Sequence, residues 1–298
     1  MWGRQPGFAL HGLAPKALIQ AGRSGYIETV SVLRRLCVIV TVAVAATSCG
    51  SSPPEPRPTG QPAASPPTEF APTTSAPPTT LPVITVAEGG LGSGDRGDQV
   101  RILEERLDGL HYDVGSVDGV FDEGTTYGVT AFQHVNGLSP SGRATQDVID
   151  RLSSAQPPSP LVPAGGARRV EISLPQQVLF LYDGGGLSRI LPVSTGSGAR
   201  YCSTEGCGTA VTPPGTYRVD YHAEGWVRSP LGELYRPVYF DPKNGLAIHG
   251  SPDVPAEPAS HGCVRIPMSA AEWFPDKAPK GTPVYVSDGQ TPLEPTPT

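Results

Sequence analysis

Charge is scarce in this chain, and its balance is wrong for a nucleic-acid partner. Asp, Glu, Lys and Arg make up 17% of the 298 residues, acidic side chains outnumber basic ones 28 to 22, and the net charge is −6. A nucleic-acid-binding face needs a basic excess, so that class is set aside. Lysine is almost missing, with only Lys16, Lys243, Lys277 and Lys280. Hydrophobic residues are also few, at 38% against about 45–50% in an average globular chain. No apolar run reaches the ~20 residues that a membrane-spanning helix needs. The longest stretch, Leu36 to Ala46, is only about half that length. Cysteine occurs five times. What is abundant is glycine (36) and proline (35), a load that suits a disordered chain unless it is concentrated in particular segments.

The short apolar run follows Arg34-Arg35 and leads into small residues, the layout of an export signal. Ala46-Thr47-Ser48-Cys49 resembles a bacterial lipobox, whose cysteine is lipidated, although Ala46 stands where that motif usually has Leu. Cleavage after Ala43-Val44-Ala45 is the ordinary signal-peptidase alternative. Residues 1–49 are therefore read as a signal and lipobox region with Cys49 as the lipidation site. The expected location is the outer face of the cytoplasmic membrane or the cell wall, with the membrane as a partner through the anchor.

An oxidising compartment gives the remaining cysteines a meaning. Cys37 belongs to the signal and Cys49 to the lipobox, which leaves Cys202, Cys207 and Cys263. Cys202 and Cys207 lie close together in YCSTEGCG and are expected to pair, leaving Cys263 as the odd thiol. A zinc site would need a second pair of ligands at metal spacing, and none is visible, so no metal is expected.

The proline load is local. Residues 51–82 carry eleven prolines among Ser, Thr and Ala, too little apolar surface to fold, so 50–88 reads as a disordered Pro/Thr/Ser-rich linker. The period then becomes helical: Val100, Leu103 and Leu107; Val129, Phe132 and Val135; Val148 and Leu152. Three helices over 89–155 make a small helical domain. The string GDQVRILEERLDGLHYDVGSVDGVFDEGTTYGVTAFQHVNGL resembles the peptidoglycan-binding repeat module of cell-wall enzymes. Val100, Leu103, Leu107, Tyr112, Asp118 to Phe121, Thr125, Val129, Phe132-Gln133 and Gly137-Leu138 carry that resemblance. Asp122 and Glu104 depart from it, where the family usually has Gly and Gln.

A second linker is read over 156–166, and beyond it the pattern alternates. Strands are predicted over 169–174, 178–182, 188–193, 216–221, 234–240, 246–249 and 283–286. One helix is marked by the capping-box string Ser269-Ala270-Ala271-Glu272, with Met268 and Trp273 placed as a staple. Residues 288–298 read as a disordered tail.

The chemistry concentrates around His249-Gly250-Ser251 and Ser260-His261-Gly262-Cys263-Val264-Arg265. A free thiol near pKa 8.5 is only about 3% thiolate at pH 7, and a neighbouring imidazole can take its proton. An extended 260–265 would put His261, Cys263 and Arg265 on one face. The N–H groups of Gly262 and Cys263 are candidates for an oxyanion hole, and Arg265 for binding a carboxylate. On spacing alone, Cys263 is equally readable as a small buried hydrophobe and His249 as a satisfied core histidine.

The exact string HG…SHGCVR resembles the signature of the L,D-transpeptidase (YkuD-like) catalytic domain. The resemblance extends over roughly 168–287 and includes Gln177-Val178-Leu179, Pro192 to Gly196 and Thr212 to Tyr217. It departs at the cysteine-bearing insertion around Tyr201 to Gly208. The resemblance implies a multi-domain protein whose mainly β catalytic domain (167–287) is a sandwich with one short helix. It implies Cys263 as nucleophile and His249 as proton acceptor and donor, with His261, Gly262 and Ser260 supporting them. Arg265, Ser251 and Tyr239 are substrate-binding candidates, with Trp226 and Tyr235 as further candidates for lining the donor groove. The activity implied is 3→3 cross-linking of peptidoglycan: a cysteinyl thioester forms on a donor tetrapeptide, D-Ala leaves, and an acceptor stem amine takes the acyl group. No cofactor is implied, and a carbapenem should acylate Cys263. An L,D-carboxypeptidase using the same residues and a non-catalytic wall-binding protein are the rival readings.

Overall fold

The computed structural model describes residues 82–204 and 206–295. Cys49, the signal region and nearly all of the proline-rich segment lie outside the described residues. Among those described, no helix is long and apolar enough to cross a membrane.

Three helices come first: α1 (Asp98–Gly109), α2 (Glu123–Val135) and α3 (Gln146–Leu152). Each corresponds to one of the periodic apolar stretches. The two departures from the module's usual sequence both have a role. Asp122 is the N-cap of α2, its carboxylate accepting from Thr125 N at 3.0 Å. Glu104 is fully buried in α1, where its carboxylate accepts from Gly119 N, Asp118 N and Thr125 Oγ1. A buried carboxylate needs that many donors, and here they fix the Asp118-Gly119 turn between the two helices.

Two sheets follow. One contains β1 (Arg169–Ser173), β2 (Val178–Asp183), β3 (Gly186–Pro192), β6 (Gly215–Arg218) and β12 (Pro283–Ser287), in the order β3-β2-β1-β12-β6. The other contains β7 (Tyr221–His222), β8 (Trp226–Ser229), β9 (Gly232–Asp241), β10 (Leu246–Ser251) and β11 (Val264–Pro267), in the order β11-β10-β9-β7, with β8 also paired to β9. The β1–β12 and β10–β11 pairs are parallel and the rest antiparallel. Val170, Ile172, Leu179, Leu181 and Val284 from the first sheet share a core with Val238, Ile248, Val264 and Ile266 from the second. Helix α4 (Met268–Lys277) closes this core with Ala270, Ala271 and Phe274.

The capping box expected at α4 is not made. The N-cap is Pro267, with no side-chain cap, and Glu272 instead accepts from the Tyr235 hydroxyl at 2.6 Å and pairs with Arg236. The cysteine-bearing insertion, for which no strand is predicted from the sequence, is a two-stranded hairpin, β4 (Arg200–Ser203) and β5 (Gly206–Thr209). Strand β8 was likewise not anticipated.

The β2 run VLFLYD is buried almost throughout because it is covered on both faces. Leu179 and Leu181 face the sandwich, while Val178, Phe180 and Tyr182 join Leu103, Leu107, Tyr112, Phe121 and Phe132 in a second core. The helical module thus packs on the outer face of the first sheet. It also covers the edge of β3: Asp113 N donates to Ile190 O at 3.0 Å, and Ile190 N donates to His111 O at 2.7 Å. The segment 156–166, read as a linker, lies against β1. Glu171 accepts from Leu161 N and Val162 N, and forms a buried ion pair with Arg169 at 2.6 Å. In the 288–295 stretch, the Asp288 carboxylate accepts from Gln290 N and Thr291 N.

Candidate active site

Strand β10 carries His249 between two partners. On one side, β9 has a register shift between Ile248 and Gly250, with Arg236 at φ 45 taking up the irregularity. Bulges of this kind re-aim side chains at a strand's working end. On the other side, β11 runs parallel, with His249 opposite Arg265 and Ile248 opposite Val264. Ile248 and Val264 face the core, so alternation puts His249 and Arg265 together on the other face.

His249 is buried, and its Nδ1 lies 2.9 Å from Gly250 O. A carbonyl can only accept, so Nδ1 carries the proton and Nε2 is left with a free lone pair. Burial above all, opposed by the Gly250 carbonyl and assisted by the Arg265 charge, brings the imidazole pKa down to about 4. At neutral pH the ring is therefore an uncharged base.

Cys263 immediately precedes β11 and is the free cysteine of the described residues. Its thiol is half-buried and donates to Gly245 O at 3.4 Å. Burial pushes its pKa up, against the opposing effects of the Ala247 backbone and the Arg265 charge. Tyr239 is within electrostatic reach of the thiol: its own pKa is raised by burial, by Tyr221 and by Cys263, and it stacks on Tyr221 at 4.6 Å.

Residues 260–263 are not a strand, contrary to the extended reading. Gly262 adopts φ 141, and a Cβ there would come within 2.9 Å of Val211 O, so only glycine fits the turn. The buried Ser260 hydroxyl accepts from Gly262 N at 3.0 Å and donates to Cys263 O. This corrects the oxyanion expectation, because the Gly262 N–H is already engaged and only that of Cys263 remains a candidate. Nor do His261 and Cys263 share a strand face. His261 is exposed and meets the Tyr201 ring edge-on at 5.1 Å.

The loop is held by residues that sequence reasoning did not assign. Ser260 N donates to Thr195 O and Ser197 N to Ser260 O, while Ser194 and Arg265 exchange backbone hydrogen bonds. Thr212 Oγ1 accepts from Gly196 N at 2.9 Å and donates to Gly262 O at 2.7 Å. Gln177, at φ 48, accepts from Thr195 N. The strings Gln177, Pro192 to Gly196 and Thr212 to Tyr217 were visible as part of a signature, but their function as a rail under the cysteine loop was not.

Of the substrate-binding candidates, Arg265 lies beside His249 and 3.9 Å from Asp253. The Ser251 hydroxyl is taken up in a turn, donating to Asp253 O at 2.9 Å. Tyr235 packs with Trp226 and donates to Glu272, and lies on the side of Gly250 that faces α4. That pair belongs to the seam between β9 and α4 and not to the face of His249. Cys202 and Cys207 form a disulfide across β4 and β5. No group of three His, Cys, Asp or Glu among the described residues is placed to hold a metal ion.

Comparison with known families matches residues 167–286 to the L,D-transpeptidase catalytic domain (YkuD) and residues 96–152 to a peptidoglycan binding domain. The fold is similar to a crystal structure of an L,D-transpeptidase from Xylanimonas cellulosilytica, with 32% identity and a TM-score of 0.62, covering 71% of this chain and all of that one. An L,D-transpeptidase from Stackebrandtia nassauensis matches at 22% identity and a TM-score of 0.39, over 66% of this chain and 94% of that one. One from Mycobacterium tuberculosis matches at 22% and 0.34, over 41% and 58%. Comparison with curated proteins finds no match.

Proposed function

The chain belongs to the L,D-transpeptidase family, and from that premise we propose that it forms 3→3 peptidoglycan cross-links through a thioester on Cys263. The observation that carries this reading is that one free thiol and one buried, neutral imidazole are gathered around Arg265, which faces His249 across the β10–β11 pair and acts on both groups by its charge, while the imidazole Nδ1 is already committed to Gly250 O. The only lone pair that His249 has to offer is on Nε2. In the acylation step the Cys263 sulfur attacks the carbonyl on the L-centre of the third residue of a tetrapeptide stem. Its proton passes to His249, and the same proton then leaves with the amine of D-Ala. The side-chain amine of an acceptor stem next attacks the thioester, gives up a proton to His249, and restores the thiol as the new amide forms.

Ser260 positions the cysteine through its two backbone hydrogen bonds, and Gly262 makes the turn that those bonds require. The Cys263 N–H is the candidate donor to the developing oxyanion. Arg265 opposes the burial-driven rise of the thiol pKa by its charge and is the candidate for the donor's carboxylate, while Tyr239, within electrostatic reach of the thiol, is a candidate for the donor groove. Upstream, the proposed organisation is an exported lipoprotein anchored through Cys49, with the proline-rich segment as a spacer that lets the peptidoglycan-binding module reach the wall.

Intact-mass spectrometry tests the chemistry. Incubation with a disaccharide-tetrapeptide, or with a carbapenem, should add the acyl mass to the wild type and nothing to Cys263→Ala, and the tetrapeptide should also yield a cross-linked dimer. Tripeptide without dimer would replace transfer by L,D-carboxypeptidase activity. Turnover retained in Cys263→Ala would rule out the thioester route.

A further inference from the structure

The cysteine-bearing hairpin is rooted on the catalytic loop at both ends. On entry, Ser197 N donates to Ser260 O, and Gly198 N donates to Ala210 O. On exit, Ala210 N donates to Ala199 O, and Thr212 bridges Gly196 N to Gly262 O through its hydroxyl. The approach is so close that a Cβ on Gly196 would sit 2.5 Å from Ala210 O. Both stems of the hairpin, 197–199 and 210–212, are therefore fixed beside the site.

Within the hairpin the two faces differ. Cys202 and Cys207 are cross-strand partners and exposed, so the disulfide is on the outer face. Tyr201, one residue earlier, is half-buried on the other face opposite Gly208. Its ring lies over Gly208, where a Cβ would come within 3.0 Å of the phenol oxygen. Glycine at 208 leaves room for the ring to lie across the partner strand and present its neighbour with an aromatic edge contact. That neighbour is His261, at 5.1 Å and 79° between planes, the T-shaped geometry such rings prefer. His261 is two residues from the free thiol and otherwise exposed.

We infer that the disulfide-braced hairpin is a specificity-determining wall of the site, with Tyr201 holding the His261 ring so that the two together contact the donor stem peptide as it reaches Cys263. This rests on the transpeptidase reading above and adds which residues select the donor. The disulfide acts through the brace: it keeps a hairpin of two four-residue strands from splaying, which such short ribbons do readily in water. Tyr201 is thus a binding residue, and Cys202 and Cys207 are positioning residues.

Steady-state kinetics of donor consumption on the full chain test this with Tyr201→Ala, Tyr201→Phe and the double variant Cys202→Ser/Cys207→Ser. Loss of binding contact acts mainly on KM. Tyr201→Ala should raise KM for a disaccharide-tetrapeptide about tenfold with a smaller change in kcat, and the rate of carbapenem acylation should fall much less, because that small reagent does not span the wall. Tyr201→Phe keeps the ring and should restore most of the affinity. The double serine variant should shift KM in the same direction with the thermal midpoint of the catalytic core retained. An unchanged KM in Tyr201→Ala would overturn the inference. So would equal losses with peptide and carbapenem accompanied by a lowered thermal midpoint, which would mark a folding defect. A wild type acylated by neither reagent would overturn the transpeptidase reading itself, and this inference with it.

Discussion

Burial moves both reacting groups toward neutrality, and this decides how the site responds to pH. His249 in the folded protein titrates at about 4, whereas in the unfolded chain it titrates near 6.5. As pH falls from about 6.5, the unfolded state takes up a proton that the folded state refuses. Stability present above that value is then lost progressively down to about pH 4, by about 3 kcal/mol in all. Urea unfolding of the wild type and His249→Gln at pH 4 and pH 7 should show that extra acid loss only in the wild type; parallel losses would place the imidazole in water. The raised thiol makes a companion prediction. Iodoacetamide alkylation of Cys263 should be slow at pH 7 and keep accelerating beyond the 8.5 of a free thiol, unlike a preformed thiolate, whose rate is already level. At this scale the sequence was readable as far as identity: one odd thiol, His249 fourteen positions before it, and a signature string around both. It did not reveal that Ser260 consumes the Gly262 N–H, because that bond exists only once Gly262 adopts φ 141.

Elements were legible where one physical period dominated. The three helices and the runs of β1, β2 and β12 follow their apolar spacing. The β4–β5 hairpin has no such period, since it is held by a cross-strand disulfide and by Tyr201 lying over Gly208, and neither reads as alternation. The string Ser269 to Glu272 erred the other way: it has the letters of a capping box, but Glu272 is drawn off by Tyr235 and Arg236, partners far away in sequence. Thr212 illustrates how much one unassigned residue can join. Buried between the hairpin exit and the cysteine loop, its hydroxyl serves Gly196 N and Gly262 O together. Thr212→Val keeps the shape and strands both groups, at a cost of about 1–3 kcal/mol. Thermal unfolding should register that loss, and carbapenem acylation should slow as the loop loosens. Thr212→Ser should recover both, and a valine variant with wild-type rates would show that the loop holds its own geometry.

Among the described residues, the helices and the first sheet share one core across the outer face of β2 and β3. The sequence suggested separable pieces, because the helical period ends near 152 and the alternating one begins at 169, with a proline-rich stretch between. What joins them is the second face of β2 and β3, and no local pattern distinguishes a strand buried on two faces from one buried on one face and rich in apolar residues. Val178, Phe180, Tyr182 and Ile190 reach the helices through that face, and the guanidinium of Arg169 lies 3.6 Å from the centre of the Tyr182 ring. Each such apolar side chain is worth about 1.5–3 kcal/mol when fully buried. Together they rival the whole stability of a typical domain, about 5–15 kcal/mol. A protein beginning at residue 167 would expose all of them along with the β3 edge. It should therefore bind a hydrophobic dye, aggregate, and melt well below the chain 82–295, which should unfold in a single transition. Two separate transitions in the longer chain, or a shorter one equally stable and monomeric, would mean that the helices merely rest on the sheet. A single transition would instead make the peptidoglycan-binding module part of the scaffold that holds β2 and β3, so that losses in its core, Phe132→Ala for example, should lower the melting point of the catalytic domain as well as its own.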